Sequence, residues 1–153
     1  MLHIVLLEPE IPYNTGNIGR TAVLTGARLH LIKPYGFSIQ EKWVRKAGMD
    51  YWKDVDLREH LSWEDFLRDE KPERFFLATT KAPRSYADVT YRDGDYFVFG
   101  KESAGIDEEI LKRYPDATIR IPMKDIGRSL NLSNSAAILL YEALRQTGYP
   151  DLR

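Results

Sequence analysis

Short apolar runs alternate with helical patterns along this chain, and that alternation restricts its fold more than any other feature. The runs are His3–Leu7, Arg28–Ile32, Phe75–Thr79, Tyr96–Phe99 and Ile119–Ile121. Each suits a short strand buried on both faces. Helical patterns lie between them. Asn17–Thr25 is followed by Gly26 as a C-cap, and Gln40–Ala47 by Gly48. Ser62–Arg68 opens on Ser-Trp-Glu-Asp, a capped start. Asp107–Tyr114 is stopped by Pro115, and Ser133–Thr147 runs out at Gly148 and Pro150. Strands alternating with helices predict an α/β fold, with a mainly parallel sheet flanked by helices. Ligands of such sheets bind beyond the carboxyl ends of the strands. The segments to watch are therefore Glu8–Asn17, Thr79–Arg84, Gly100–Gly105 and Pro122–Asn134.

The chain has 153 residues, 43% of them apolar, which is enough for one core, and no repeat or linker divides it. One domain over 1–153 is the expectation. No stretch approaches the roughly 20 apolar residues of a membrane span. The opening MLHIVLLEPE has no basic leader or cleavage site and reads as a first strand rather than a signal peptide. Cysteine is absent, which excludes thiolate metal sites and fits a reducing cytoplasm. His3, His30 and His60 are far apart, and no carboxylate pattern gathers them, so no metal site is expected. There is no dinucleotide fingerprint, P-loop or G-x-S-x-G elbow. Net charge is −1, so any nucleic acid must be held by a local basic patch.

Four segments could carry chemistry. Pro12-Tyr-Asn-Thr-Gly-Asn-Ile-Gly-Arg20 reads either as a turn and N-cap, or as a loop whose amides meet an anion with Arg20 one helical turn in. Gly16 and Gly19 would permit close backbone approach. In Phe97-Val-Phe-Gly-Lys-Glu-Ser-Ala-Gly-Ile106, Gly100 would let backbone approach a flat ligand. Glu102 could accept hydrogen bonds from neighbouring amides or from a ligand, and an ordinary strand-to-helix turn is the simpler reading. The third segment runs from Ile119 to Asn134. Ser129, Asn131, Ser133 and Asn134 crowd short polar groups before a helix that Ser133 or Asn134 could cap, with Leu130 and Leu132 pinning the loop. The fourth is basic: Lys42, Arg45 and Lys46 around Trp43, then Lys81 and Arg84, with Arg20 and Arg128, form either a phosphate patch or solvated helix faces.

Taken in this order and spacing, the first three segments resemble the SPOUT superfamily of RNA methyltransferases. The likeness is closest to the small TrmL-like subgroup, the tRNA (cytidine/uridine-2′-O)-methyltransferases of the wobble position. It covers nearly the whole chain and extends to Glu8-Pro-Glu-Ile-Pro12 and Gly148-Tyr-Pro150. The resemblance implies a C-terminal trefoil knot that holds S-adenosylmethionine bent. It places Ala78, Thr79, Gly100, Glu102, Ile121, Ser129, Leu130 and Asn131 around the donor. It implies transfer to a tRNA ribose 2′-hydroxyl, with Arg20, Asn14 and Asn17 as catalytic candidates and Arg20, Lys42, Arg45, Lys46, Lys81 and Arg128 on the RNA. Trp43 interrupts a run that is richer in arginine in related sequences. No metal is needed, because the sulfonium methyl is already activated. Arg20 is cationic at any reasonable pH and suits phosphate better than the role of base. A homodimer through the apolar Ala136–Leu144 face is also implied. Two rival readings remain, a non-catalytic RNA-binding module and an α/β enzyme using another nucleotide.

Overall fold

The computed structural model describes residues 1–37 and 50–153. Its described strands form one parallel sheet: β1 (His3–Leu7), β2 (Arg28–Ile32), β3 (Leu57–His60), β4 (Phe75–Ala78), β5 (Tyr96–Phe99) and β6 (Thr118–Ile119). The helices are α1 (Pro12–Thr25), α2 (Trp63–Glu70), α3 (Glu108–Arg113) and α4 (Leu132–Gln146). A short 3-10 turn, Asp50–Asp54, precedes β3. The pattern Gln40–Ala47, with Lys42, Trp43, Arg45 and Lys46, lies outside the described residues.

Continuous apolar runs become central strands because both faces of the sheet are covered. Every residue of β1 and of β5 is buried. Their side chains alternate between two cores. Ile4, Leu6, Leu29, Leu31, Phe76, Phe97 and Phe99 meet Ile18 of α1 and Leu139 and Leu140 of α4. Val5, Leu7, Ile32, Leu77, Tyr96 and Val98 meet Trp63 and Phe66 of α2 and Leu111 of α3.

Most boundaries differ from the sequence reading by one or two residues, and the departures that matter are these. α1 starts at Pro12, five residues before the expected Asn17, with proline in its first turn. The cap of α4 is Asn131, whose side chain accepts from Ser133 N and Asn134 N; Ser133 and Asn134 are capped and do not cap. β3 has no counterpart among the expected strands. It pairs only with β2, and its exposed Arg58 and Glu59 break the apolar run that marks the others. β6 ends at Ile119, before the expected Ile121. Leu132 packs on the core as a pin should, but Leu130 is 38% exposed and does not.

The strand order is β3-β2-β1-β5-β4-β6. After β1 the chain builds outward through β2 and β3, then crosses to the other side. The sheet therefore reverses its winding between β1 and β5, and the loops leaving those two strands diverge to open a crevice.

The three histidines, distant in sequence, form a buried row. His3 Nδ1 lies 2.9 Å from His30 Nε2, and His30 Nδ1 lies 3.0 Å from His60 Nε2. The expectation that nothing gathers them fails, because parallel pairing aligns β1, β2 and β3, and Glu70 at the end of α2 faces the row with Oε1 at 3.8 Å from His30 Nε2. Desolvation by burial lowers the His3 pKa to about 4 and that of His30 to about 2, and it also lowers His60. The row is therefore neutral at physiological pH.

Candidate active site

A cleft of about 580 Å³ opens at the carboxyl ends of β1, β4, β5 and β6. Three loops wall it: Ala78–Lys81 after β4, Phe99–Ile106 from β5, and Ile121 to Leu132 between β6 and α4. All eight residues expected around the donor line it: Ala78, Thr79, Gly100, Glu102, Ile121, Ser129, Leu130 and Asn131. The size lies within the range of small-molecule sites, and the walls mix apolar side chains with backbone.

Glu102 ties the cleft together. Its Oε1 accepts from Glu10 N at 2.9 Å, and its Oε2 accepts from Ile11 N at 2.9 Å and Asn14 Nδ2 at 3.1 Å. These amides are neighbours of Glu102 in space and not in sequence. Glu10 reciprocates by accepting from Ser103 N at 2.8 Å, which holds its own carboxyl below the usual carboxylate range. The anion at the start of α1 is thus the protein's own Glu102, and no external phosphate is needed there.

Asn14 continues the chain of bonds. Only 4% exposed, it accepts through Oδ1 from Asn131 Nδ2 at 3.0 Å, while Asn131 Oδ1 caps α4. Glu102, Asn14 and Asn131 therefore link the β1, β5 and β6 loops in one line. The sequence marked each of them, but their mutual bonding was out of its reach.

Gly100 makes room for something other than a ligand. A Cβ there would lie 2.0 Å from Gly105 C and 2.1 Å from Ile106 N, so the space belongs to the loop's own returning backbone. That return is closed by Gly105 N donating to Lys101 O at 2.8 Å, with Gly105 at φ +73°. Gly19 likewise makes room for protein. A Cβ there would press to 2.5 Å against the Trp52 ring, and Tyr51 Oη donates to Gly16 O at 2.8 Å.

Arg20 is exposed and does not line the cleft, and neither does Asn17. Because α1 begins at Pro12, Arg20 stands more than two turns in, on a stripe with Tyr13, Asn17 and Leu24. Tyr13 is 63% and Leu24 65% exposed. The Arg20 guanidinium lies 6.0 Å over the Tyr51 ring. The expected Ala136–Leu144 face divides, with Ala137 and Ile138 partly exposed and Tyr141 exposed. Ala136, Leu139, Leu140, Ala143 and Leu144 are all buried in the chain's own core.

The basic candidates divide. Lys81 lines the cleft and pairs with Glu108. The Arg84 guanidinium donates to Asp116 O at 3.0 Å. Arg128 is exposed beside the cleft, lining a hollow with Lys124, Arg120 and Ser129.

Residues 1–141 match the family model described as the SpoU rRNA Methylase family. The chain belongs to the SpoU rRNA methylase family. Two relatives agree along almost their whole length. The tRNA (cytidine(34)-2'-O)-methyltransferase of Escherichia coli (strain K12) is 48% identical, covering 98% of this chain and 96% of its own. The enzyme of the same name from Saccharophagus degradans is 46% identical, covering 97% of each. Among solved structures, one concerned with the 2-OH methylation of C/U34 on tRNA superposes with a TM-score of 0.89 at 44% identity, covering 97% of both chains. An AdoMet-bound rRNA methyltransferase from Sinorhizobium meliloti superposes with a TM-score of 0.81 at 28% identity, covering 94% of this chain and 56% of that one. For this SpoU rRNA methylase family member, the overall fold is thus a shared architecture. No described helix is long and apolar enough to cross a membrane.

Proposed function

We propose that the chain, as one domain over 1–153, transfers a methyl group from S-adenosylmethionine to the ribose 2′-hydroxyl of a tRNA nucleotide, at the wobble cytidine or uridine. The observation that carries this reading is the single cleft walled by all eight expected donor residues, in a family member whose relatives bear that activity in their names. The cleft suits the donor. Ala78, Ile121 and Leu130 offer apolar walls to a flat base, and the one acidic side chain on the β5 loop that lines it, Glu102, is engaged by three N–H donors. S-adenosylmethionine bound there supplies an electrophilic methyl, so transfer calls for alignment and not for a metal. The C-terminal knot belongs to the same reading, and a cytoplasmic location fits the absence of cysteine.

The chain's residues act in three places. The Glu102–Asn14–Asn131 line fixes the segments after β1, β5 and β6 at one spacing. Arg128 and Lys124 put positive charge beside the cleft, where RNA phosphate approaches. Arg20 grips the phosphate of the target nucleotide and orients its 2′-hydroxyl. Arg20 does not line its own chain's cleft, and it stands among exposed Tyr13 and Leu24. We place that stripe of α1 at a homodimer interface, with Arg20 serving the partner's cleft. Tyr141 of α4 is also 45% exposed. The deciding experiment is transfer of labelled methyl into total tRNA followed by nucleoside mapping of the product. A 2′-O-methylated pyrimidine is expected, and no incorporation, or incorporation into a base, overturns the reading.

A further inference from the structure

The histidine row lies away from the cleft, and the reaction does not use it. His3 and Tyr96 are paired in register near the starts of β1 and β5, at the opposite end of those strands from the donor loops. Their rings stack at 3.9 Å, inclined by 8°. Tyr96 Oη donates to Glu70 Oε1 at 3.0 Å, and that same oxygen lies 3.8 Å from His30 Nε2. The ligand atoms of His3, His30 and Glu70 all fall within 4.8 Å of one another.

Two neutral imidazoles facing nitrogen to nitrogen need one positive centre or one proton between them. If His30 donates through Nδ1 to His60, its Nε2 presents a lone pair towards His3 Nδ1. A carboxylate then completes a third side of the same small space. We propose that His3 Nδ1, His30 Nε2 and the Glu70 carboxylate form a site for a divalent transition metal, with Zn²⁺ as the ion their chemistry favours.

The dimensions agree. Two nitrogens bound at roughly 2.0–2.1 Å with an angle between square and tetrahedral stand about 2.9–3.4 Å apart. The observed separation is 2.9 Å. Glu70, at a helix end and with 17% side-chain exposure, closes its 3.8 Å gap by a small rotamer change. Two of the three ligands also have an outer hydrogen-bond partner of the kind metal ligands carry. His60 orients His30, Tyr96 Oη orients Glu70, and the Tyr96 ring holds His3 flat. Burial pushes the Tyr96 phenol up to about 12, so it serves as a donor to Glu70 and leaves the fourth position to water. The ion would tie β1, β2 and α2 together and take no part in methyl transfer.

The test uses untagged full-length protein, stripped with EDTA and titrated with Zn²⁺ against a chromophoric chelator. One tight equivalent per chain is expected, with a raised melting temperature in Zn²⁺ and visible absorption bands of low coordination number in Co²⁺. Loss of an outer hydrogen-bond partner costs metal sites roughly 10–100-fold in affinity. His60→Gln should fall in that range, and Glu70→Gln and His30→Gln should lose at least as much. His30 is fully buried, so Glu70→Gln, at the open edge, decides the matter if His30→Gln does not fold. S-adenosylmethionine affinity should be the same with and without Zn²⁺. No bound equivalent, or one retained undiminished in Glu70→Gln and His60→Gln, overturns the site and leaves the histidines as a hydrogen-bonded row only.

Discussion

At the scale of single residues, Arg20 and Gly100 make opposite demands. Arg20→Ala removes a cation that touches neither the core nor the cleft of its own chain. Transfer should fall by roughly a hundred-fold or more, the usual loss of a group that orients or stabilises the reacting centre, while calorimetric donor affinity stays unchanged. Donor affinity falling in parallel with activity would remove Arg20 from the RNA side of the reaction. Gly100→Ala places a methyl 2.0 Å from backbone that has nowhere to move. It should cost on the order of 3 kcal/mol in urea unfolding, with donor binding lost alongside. Wild-type stability in that variant would mean that the loop returns by another route. The loops that wall the cleft were legible from sequence because they leave the apolar runs, and strand ends are where such sheets bind ligands; the particular contacts Ala78, Ile121 and Ser129 came from the family resemblance. The partners of Glu102 were not legible. They lie 88 to 92 positions away, on a loop that meets it only after β1 and β5 pair.

At the scale of elements, the ends of α1 and α4 carry the site. α1 has no side-chain cap of its own, and Glu102 reaches across to the amides that precede it. This explains why the stretch Pro12–Gly16 reads as a loop. Asn, Thr and Gly are poor helix formers, and the group that stabilises them comes from elsewhere in the chain. The cap of α4 was legible in kind but misplaced by two or three residues, since Asn131, Ser133 and Asn134 have similar capping chemistry and the bond to Asn14 singles out the first. Asn131→Ala should lose about 1–2 kcal/mol as a cap and also weaken donor binding, because Asn14 then loses its partner across the cleft. Ser133→Ala should leave donor binding intact, and equal effects in the two variants would refute the linking role. β3 escaped sequence reading for a related reason. An edge strand needs apolar side chains on only part of its surface, and Leu57-Arg-Glu-His60 offers only Leu57, with two charges and a buried imidazole after it.

For the whole molecule, the questions are charge and assembly. With a net charge of −1, affinity for tRNA must come from the exposed cations near the cleft. Substituting Arg20 or Arg128 by alanine should each flatten the plot of log affinity against log salt by roughly 0.7–0.9. A slope that does not change excludes that residue from phosphate contact. If Arg20 serves the partner's cleft, mixing Arg20→Ala chains with Asn131→Ala chains and allowing subunits to exchange should restore activity. One site of each mixed dimer then carries both lesions and the other carries none. Proven exchange without recovery would confine each site to one chain.

The hydrogen bond from Asn131 to Asn14 spans 117 positions, and it has a consequence for how the protein comes into being. The first wall of the cleft leaves the ribosome early and the last one late. A nascent chain still lacking its final helix leaves Asn14 with Glu102 but without Asn131, and it has no finished cleft to offer. Competence to bind the donor therefore arrives only once α4 has been made, and products of synthesis interrupted before it do not compete for the cofactor.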